Sequence, residues 1–243
     1  MINRIPRLIH QVWSDKVIPI PEVFENFADT WKTNNSEWEY KLWGQADMDN
    51  FIALFYPELL PKYESFPYDI QRWDAIRYLI LDKLGGVYVD IDSECLKPIE
   101  ELIGEHECCF SLEPKEHCMS LSKDIYFNNA FIGVIPKHPF IQKVINRVFS
   151  SCETQEELFL KYDNMDQKLF DVLTTTGPLM LTDVYTHYEN KSEIYLIPPK
   201  YASPFSKSDT QDLLENRNLE QLNEKLQDAY LVHYFTSIWR KDE

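Results

Sequence analysis

Asp90 and Asp92 stand two residues apart at the end of a run of β-formers, and they concentrate the chemistry of this chain. In extended backbone, Val87, Val89 and Ile91 take one face while Tyr88, Asp90 and Asp92 take the other. Two carboxylates held this close raise each other's pKa unless a cation lies between them. Hard oxygen ligands at a strand end suit Mg²⁺ or Mn²⁺ beside a diphosphate. Upstream, Asp74 and Arg77 are three apart and share a helix face, so a carboxylate and a fixed cation lead into the acidic pair. Taken singly these features are commonplace. An Asp-x-Asp is usually a solvated strand end, and an Asp/Arg helix pair is usually a surface ion pair. The ordered set, with Gly85-Gly86 before the strand, favours a functional site.

The elements that must position these residues can be read from periodicity. Ile70, Trp73, Ile76, Ile80 and Leu84 keep helical spacing, with Pro67 suited to the first turn and Gly85 to the helix end. A strand ending at His10, Gln11 and Trp13 opens the chain. A helix is expected over 22–33, a strand over 38–43, and a helix over 48–55 capped by Asp47. This alternation predicts right-handed crossovers and a mostly parallel central sheet flanked by helices, an α/β class. Further strands are expected over 108–113, 194–197 and 229–234, and helices over 139–151 and 153–162. Thr174-Thr175-Thr176-Gly177-Pro178 reads as a turn, and the polar stretch 206–228 as a mobile loop plus helix or a plain solvated helix. No repeat or linker divides residues 1–243, so one catalytic domain is expected.

The set Asp74, Arg77, Gly85-Gly86 and Asp90-x-Asp92 resembles the signature of retaining, nucleotide-sugar-dependent glycosyltransferases with a DxD sugar-binding region. That family includes fungal mannosyltransferases and bacterial capsular-polysaccharide transferases, and the glucosyltransferase domains of large clostridial toxins are distant relatives. The opening Ile5-Pro6-x-x-Ile9-His10-Gln11-x-Trp13 and the closing His233-x-x-x-Ser237-x-Trp239 are similar to the family as well, so the likeness runs along nearly the whole chain. The resemblance implies a GT-A-type nucleotide-sugar-binding domain. It implies Mn²⁺ or Mg²⁺ with Asp92 as the principal direct ligand, Asp90 holding the ribose, or the sugar and the metal through water, and His233 either a further ligand or a buried hydrogen-bonded histidine. It places Trp13 on the nucleotide base, core packing being the alternative, with His10 and Gln11 beside it. It also implies Asn128 or Asn129 near the donor sugar, Asp74 and Arg77 on sugar hydroxyls, and Ser237 and Trp239 on the diphosphate. The partners implied are a nucleotide-sugar donor, UDP-linked in preference and GDP-mannose otherwise, and a glycan or lipid-linked saccharide acceptor in surface or capsular polysaccharide synthesis. No general base is named, because retention in that family is often argued to proceed on one face with the leaving phosphate assisting.

Composition bounds these readings. A chain of 243 residues with 44% hydrophobic content can build a sizeable core. Fourteen Tyr, fourteen Phe and six Trp supply rings for stacking as well as packing. The net charge of −16 excludes a nucleic-acid backbone as partner, and it requires a metal and local cations to reverse the field around an anionic donor. Five cysteines, Cys95, Cys108, Cys109, Cys118 and Cys152, show no framework spacing and read as reduced thiols; no Cys-x-x-Cys invites zinc. No signal peptide or membrane span opens the chain, whereas Golgi members of the family carry an anchor. A cytoplasmic, bacterial-type enzyme is therefore expected, with peripheral membrane association left open. The competing readings are an Asp-x-Asp phosphohydrolase, against which Glu94 stands where Thr or Val is usual, and a carbohydrate-binding module without turnover.

Overall fold

The computed structural model describes residues 4–16, 18–150 and 165–237. Six strands form the main sheet: β1 (Leu8–Val12), β2 (Glu39–Trp43), β3 (Gly86–Val89), β5 (Cys108–Leu112), β6 (Phe127–Val134) and β7 (Tyr195–Ile197). Two short strands, β4 (Ser93–Cys95) and β8 (Leu231–His233), pair separately. The main order is β2-β1-β3-β6-β5-β7. Pairs β1–β2, β1–β3 and β5–β7 are parallel, so the sheet is mostly parallel and flanked by helices, as the alternation predicts. β6 departs from the expectation. It lies between β3 and β5 and runs antiparallel to both.

Each face of the sheet carries its own core. Tyr88 belongs to the cluster with Ile76, Leu79 and Ile80 of the helix Asp69–Leu84. Val87 and Val89 belong to the opposite cluster with Trp31 of the helix Glu22–Asn34. Strand alternation therefore sets which neighbours each side chain meets. The helix Asp69–Leu84 is buried over most of its surface, so its Asp74 and Arg77 are interior groups, not a surface pair.

Gly85 and Gly86 end that helix and open β3. Both have positive φ, +65° and +100°, which side-chain-bearing residues rarely adopt. A Cβ on Gly86 would lie 2.4 Å from the Leu8 carbonyl oxygen, and one on Gly85 would lie 2.6 Å from Pro136 Cδ. Close approach as well as helix termination thus requires glycine here.

Several boundaries differ from the sequence reading. β3 stops at Val89, and Asp90 to Ser93 form a turn closed by the Ser93 N–H on the Asp90 carbonyl at 3.1 Å. Asp92 reaches the same cavity as Asp90 through this turn, not through the pleat. The second helix starts at Gln45, not Met48; Asp47 lies one turn inside it and its carboxylate accepts the Gly44 N–H at 3.1 Å. Pro67 precedes the N-cap Tyr68 rather than entering the first turn. The polar stretch 206–228 forms two helices, Lys207–Leu214 and Leu219–Leu226, pinned by Leu222 against Phe205 and Val232. The helix expected over 153–162, Cys152 and Trp239 lie outside the described residues.

Candidate active site

β1, β3 and the helix Asp69–Leu84 converge on a cleft of about 420 Å³. Its floor is a polar network centred on Arg77, whose side chain is 4% exposed. Arg77 Nη2 lies 2.7 Å from Asp74 Oδ1, and Nη1 lies 3.1 Å from Asp90 Oδ1. Nη1 also donates to the Asn129 carbonyl at 2.9 Å, and the guanidinium sits 4.4 Å over the Tyr88 ring. The Tyr88 hydroxyl donates to Asp90 Oδ1 at 2.7 Å. Asp74 accepts two more bonds, from Asn129 Nδ2 at 3.1 Å and from the Thr176 hydroxyl at 2.9 Å. Burial pushes the Asp74 carboxyl up to about 6, against the pull of Arg77 and these two donors.

The acidic pair meets the end of the chain because β4 pairs with β8, placing Ser93 opposite His233. His233 Nε2 lies 3.3 Å from Asp92 Oδ1 and 3.8 Å from Asp90 Oδ2. Asp92 Oδ2 accepts the Thr236 N–H at 2.9 Å and the Thr236 hydroxyl at 2.8 Å. Burial acts to raise the Asp92 carboxyl, but His233 and the Thr236 donors prevail and hold it at about 2. Burial acts to lower the His233 imidazole, yet the Asp92 and Asp90 carboxylates prevail and raise it. Asp90, Asp92 and His233 offer ligand atoms within 4.8 Å of one another. Two hard carboxylates and one imidazole, with a surplus of negative charge, suit a divalent cation such as Mg²⁺ or Mn²⁺.

The remaining sequence candidates fall in different places. Trp13 lies just past β1 on the cleft wall, half-buried, with its edge against Phe24 and its indole N–H on the Ile18 carbonyl. Of the two asparagines, Asn129 lines the cleft. Asn128 is buried behind it, donating to Ser203 Oγ at 3.0 Å and lying 3.4 Å from His233 Nδ1. Ser237 lines the cleft beside Thr236. His10 and Gln11 do not line it. His10 Nε2 donates to the Gly85 carbonyl at 2.9 Å and Nδ1 accepts the Trp43 indole N–H at 3.1 Å, so the ring is sealed in the sheet. Burial pushes the His10 pKa down to about 4. Gln11 donates to the Asp90 carbonyl at 3.1 Å, which makes it a brace for the turn, not a wall of the cavity.

Thr176, buried behind Asp74, and three residues that line the cleft escaped the sequence reading of the site. Thr176 lay within a run read only as a turn signal, and Thr236 lay between two candidates. Glu113 and His117, four apart, carried a legible helical spacing. Glu113 Oε2 accepts from His117 Nδ1 at 2.6 Å, and His117 Nε2 accepts the Lys207 N–H at 3.1 Å. That chain of bonds ties the helix Lys207–Leu214 to the cleft wall.

A mostly parallel sheet flanked by helices, with a carboxylate pair just past its central strand and a histidine returning from the last strand, is a GT-A-type fold. Residues 21–109 match the family model described as a glycosyltransferase sugar-binding region containing a DXD motif. The inositol phosphoceramide mannosyltransferase 1 of Schizosaccharomyces pombe is 31% identical over 190 residues, covering 77% of this chain and 53% of that protein. An uncharacterized glycosyltransferase of Acanthamoeba polyphaga mimivirus is 26% identical over 241 residues, covering 97% of this chain and 84% of its own length. The PaToxG glycosyltransferase structure shares the fold with a TM-score of 0.55 at 16% identity, covering 99% of this chain and 84% of that one. Residues 21–109 thus carry the sugar-binding region of the DXD-containing glycosyltransferases, and the chain spans about half the length of the fungal relatives it matches. No helix among the described residues is long and apolar enough to cross a membrane.

Proposed function

We propose that this chain is a metal-dependent, retaining hexosyltransferase that moves a sugar from a nucleotide diphosphate donor to a glycan or lipid-linked saccharide. The observation that carries the reading is the convergence of Asp90, Asp92 and His233 beside the Asp74–Arg77 network in one cleft. A divalent cation held by Asp90, Asp92 and His233 would supply Lewis-acid stabilisation of the departing diphosphate. Trp13 offers a ring at the cleft wall for the base. Arg77, clamped between two carboxylates, keeps Asp90 oriented and keeps its own charge in place. Asp74 accepts from Arg77, Asn129 and Thr176, three of about four bonds that a carboxylate can take, which leaves room for one sugar hydroxyl. Asn129 presents its amide at the same wall. Ser237 lines the cleft, and its hydroxyl, which donates to the Phe235 carbonyl at 3.3 Å, would turn from that carbonyl to the diphosphate. The names of the fungal relatives support mannose as the sugar and an inositol phosphoceramide as one acceptor to try.

The test is nucleotide release from a panel of UDP-sugars and GDP-mannose, with Mn²⁺ or Mg²⁺ and with chelator. Turnover should require the cation and vanish in Asp92→Ala, whose fold should remain. Full turnover in excess chelator refutes the metal. Inorganic phosphate released from a monoester would point to a phosphohydrolase, and saccharide binding without turnover to a binding module.

A further inference from the structure

Three bonds fasten the last described stretch of chain to one residue. The Tyr234 N–H donates to the Asp92 carbonyl at 3.1 Å, and the Thr236 N–H and hydroxyl both donate to Asp92 Oδ2. The backbone on either side of Thr236 is strained. Phe235 has φ +49° and Ser237 has φ +48°, the left-handed region that residues with a Cβ rarely occupy. Such conformations persist only where their surroundings over-determine them. Here the surroundings are the paired bonds onto Oδ2.

The same bonds act on Asp92. With two donors on Oδ2, the carboxylate cannot turn about its last torsion without breaking both. Oδ1 is therefore left facing His233 Nε2 at 3.3 Å. We infer that Thr236 is a positioning residue: its hydroxyl locks Asp92 with Oδ1 toward the cation site, and the locked carboxylate holds the strained turn that brings Ser237 to the cleft. This rests on the reading of Asp90, Asp92 and His233 as a divalent-cation site. Binding couplings are reciprocal, so a cation that favours this Asp92 orientation also favours the turn. Groups that orient a metal ligand from behind are typically worth about 10- to 100-fold in metal affinity.

The experiment follows Mn²⁺ uptake directly, by the electron paramagnetic resonance signal of free Mn²⁺, on the full chain without donor. Wild type, Thr236→Val and Thr236→Ser are compared, with circular dichroism melts as the folding control. The backbone N–H survives in all three, so only the hydroxyl is varied. Valine should weaken Mn²⁺ binding about tenfold or more, and serine should restore it to near the wild-type value. If the valine chain does not fold, Thr236→Ala takes its place under the same criteria. Wild-type uptake with no loss in the valine or alanine chain overturns this inference alone, as does equal loss in the serine chain. A wild type that takes up no Mn²⁺ overturns the cation site and this inference together.

Discussion

Replacing Arg77 by methionine keeps much of the stem and removes the charge, and its cost can be worked from the contacts. The guanidinium serves two carboxylates at 2.7 and 3.1 Å and one peptide carbonyl at 2.9 Å. Its side chain and that of Asp74 are each 4% exposed, so water cannot take its place. Breaking a buried pair from one side typically costs about 3–5 kcal/mol, whereas an exposed pair is worth about 0–1 kcal/mol. The Asn129 and Thr176 donors remain on Asp74 and soften the loss, so about 3 kcal/mol is the expected figure. In urea, with a slope of about 1–3 kcal/mol per molar, the midpoint should fall by roughly 1 M or more. Adding Asp74→Asn to the methionine chain removes the stranded carboxylate. The double variant should therefore lose less than the sum of the singles, by about 1–3 kcal/mol. Equilibrium urea unfolding of wild type, both singles and the double provides the whole cycle. A loss below about 1 kcal/mol for Arg77→Met, or strict additivity, would refute the buried-network account.

Two further outcomes concern stability. His10 titrates near 4 in the fold and near 6.5 when unfolded, because burial disfavours its charged form. Below pH 6.5 the unfolded chain binds a proton that the folded chain refuses, so stability is lost as pH falls from 6.5 toward 4. With about 1.36 kcal/mol for each of roughly 2.5 pKa units, the loss is about 3 kcal/mol, and a His10→Asn chain should lack that part of the acid dependence; parallel profiles would count against it. Gly86→Ala meets the Leu8 carbonyl at 2.4 Å and a φ of +100°, while Gly104→Ala has a φ of +51° and nothing nearer than 3.9 Å. Strain alone should cost the Gly104 variant about 1–2 kcal/mol, and strain plus clash should cost the Gly86 variant roughly 2–5 kcal/mol; equal melting shifts would show that the close approach is not real.

The stretch 74–92 was legible because its information is local. Helical spacing, the Gly-Gly stop and the acidic pair each follow from neighbours within one or two turns, and these placed Asp74, Arg77, Asp90 and Asp92 in one cleft. The alternation of elements likewise gave a mostly parallel sheet. What stayed hidden depends on partners far along the chain. The reversal of β6 is a choice of pairing between β3 and β5, and no residue of β6 announces its direction. His10 sits in a motif that resembles the family opening, yet Gly85, 75 residues on, and Trp43, 33 residues on, take both its nitrogens. Asn128 and Asn129 differ only in which face of β6 they occupy, and β6 is bulged at its partner between Phe110 and Ser111, so counting could not separate them.

The sequence by itself determined that a carboxylate pair would follow a central strand beside a helix whose period of 3.6 puts an acid and a cation on one face. Only the tertiary structure decided how the carboxylates would be held. Asp92 takes its orientation from Thr236, 144 residues away, and Asp74 takes a donor from Thr176, 102 residues away. A rotamer is fixed by the donors that surround it, and in a buried cleft those donors arrive from wherever the sheet and its last strand bring the chain back.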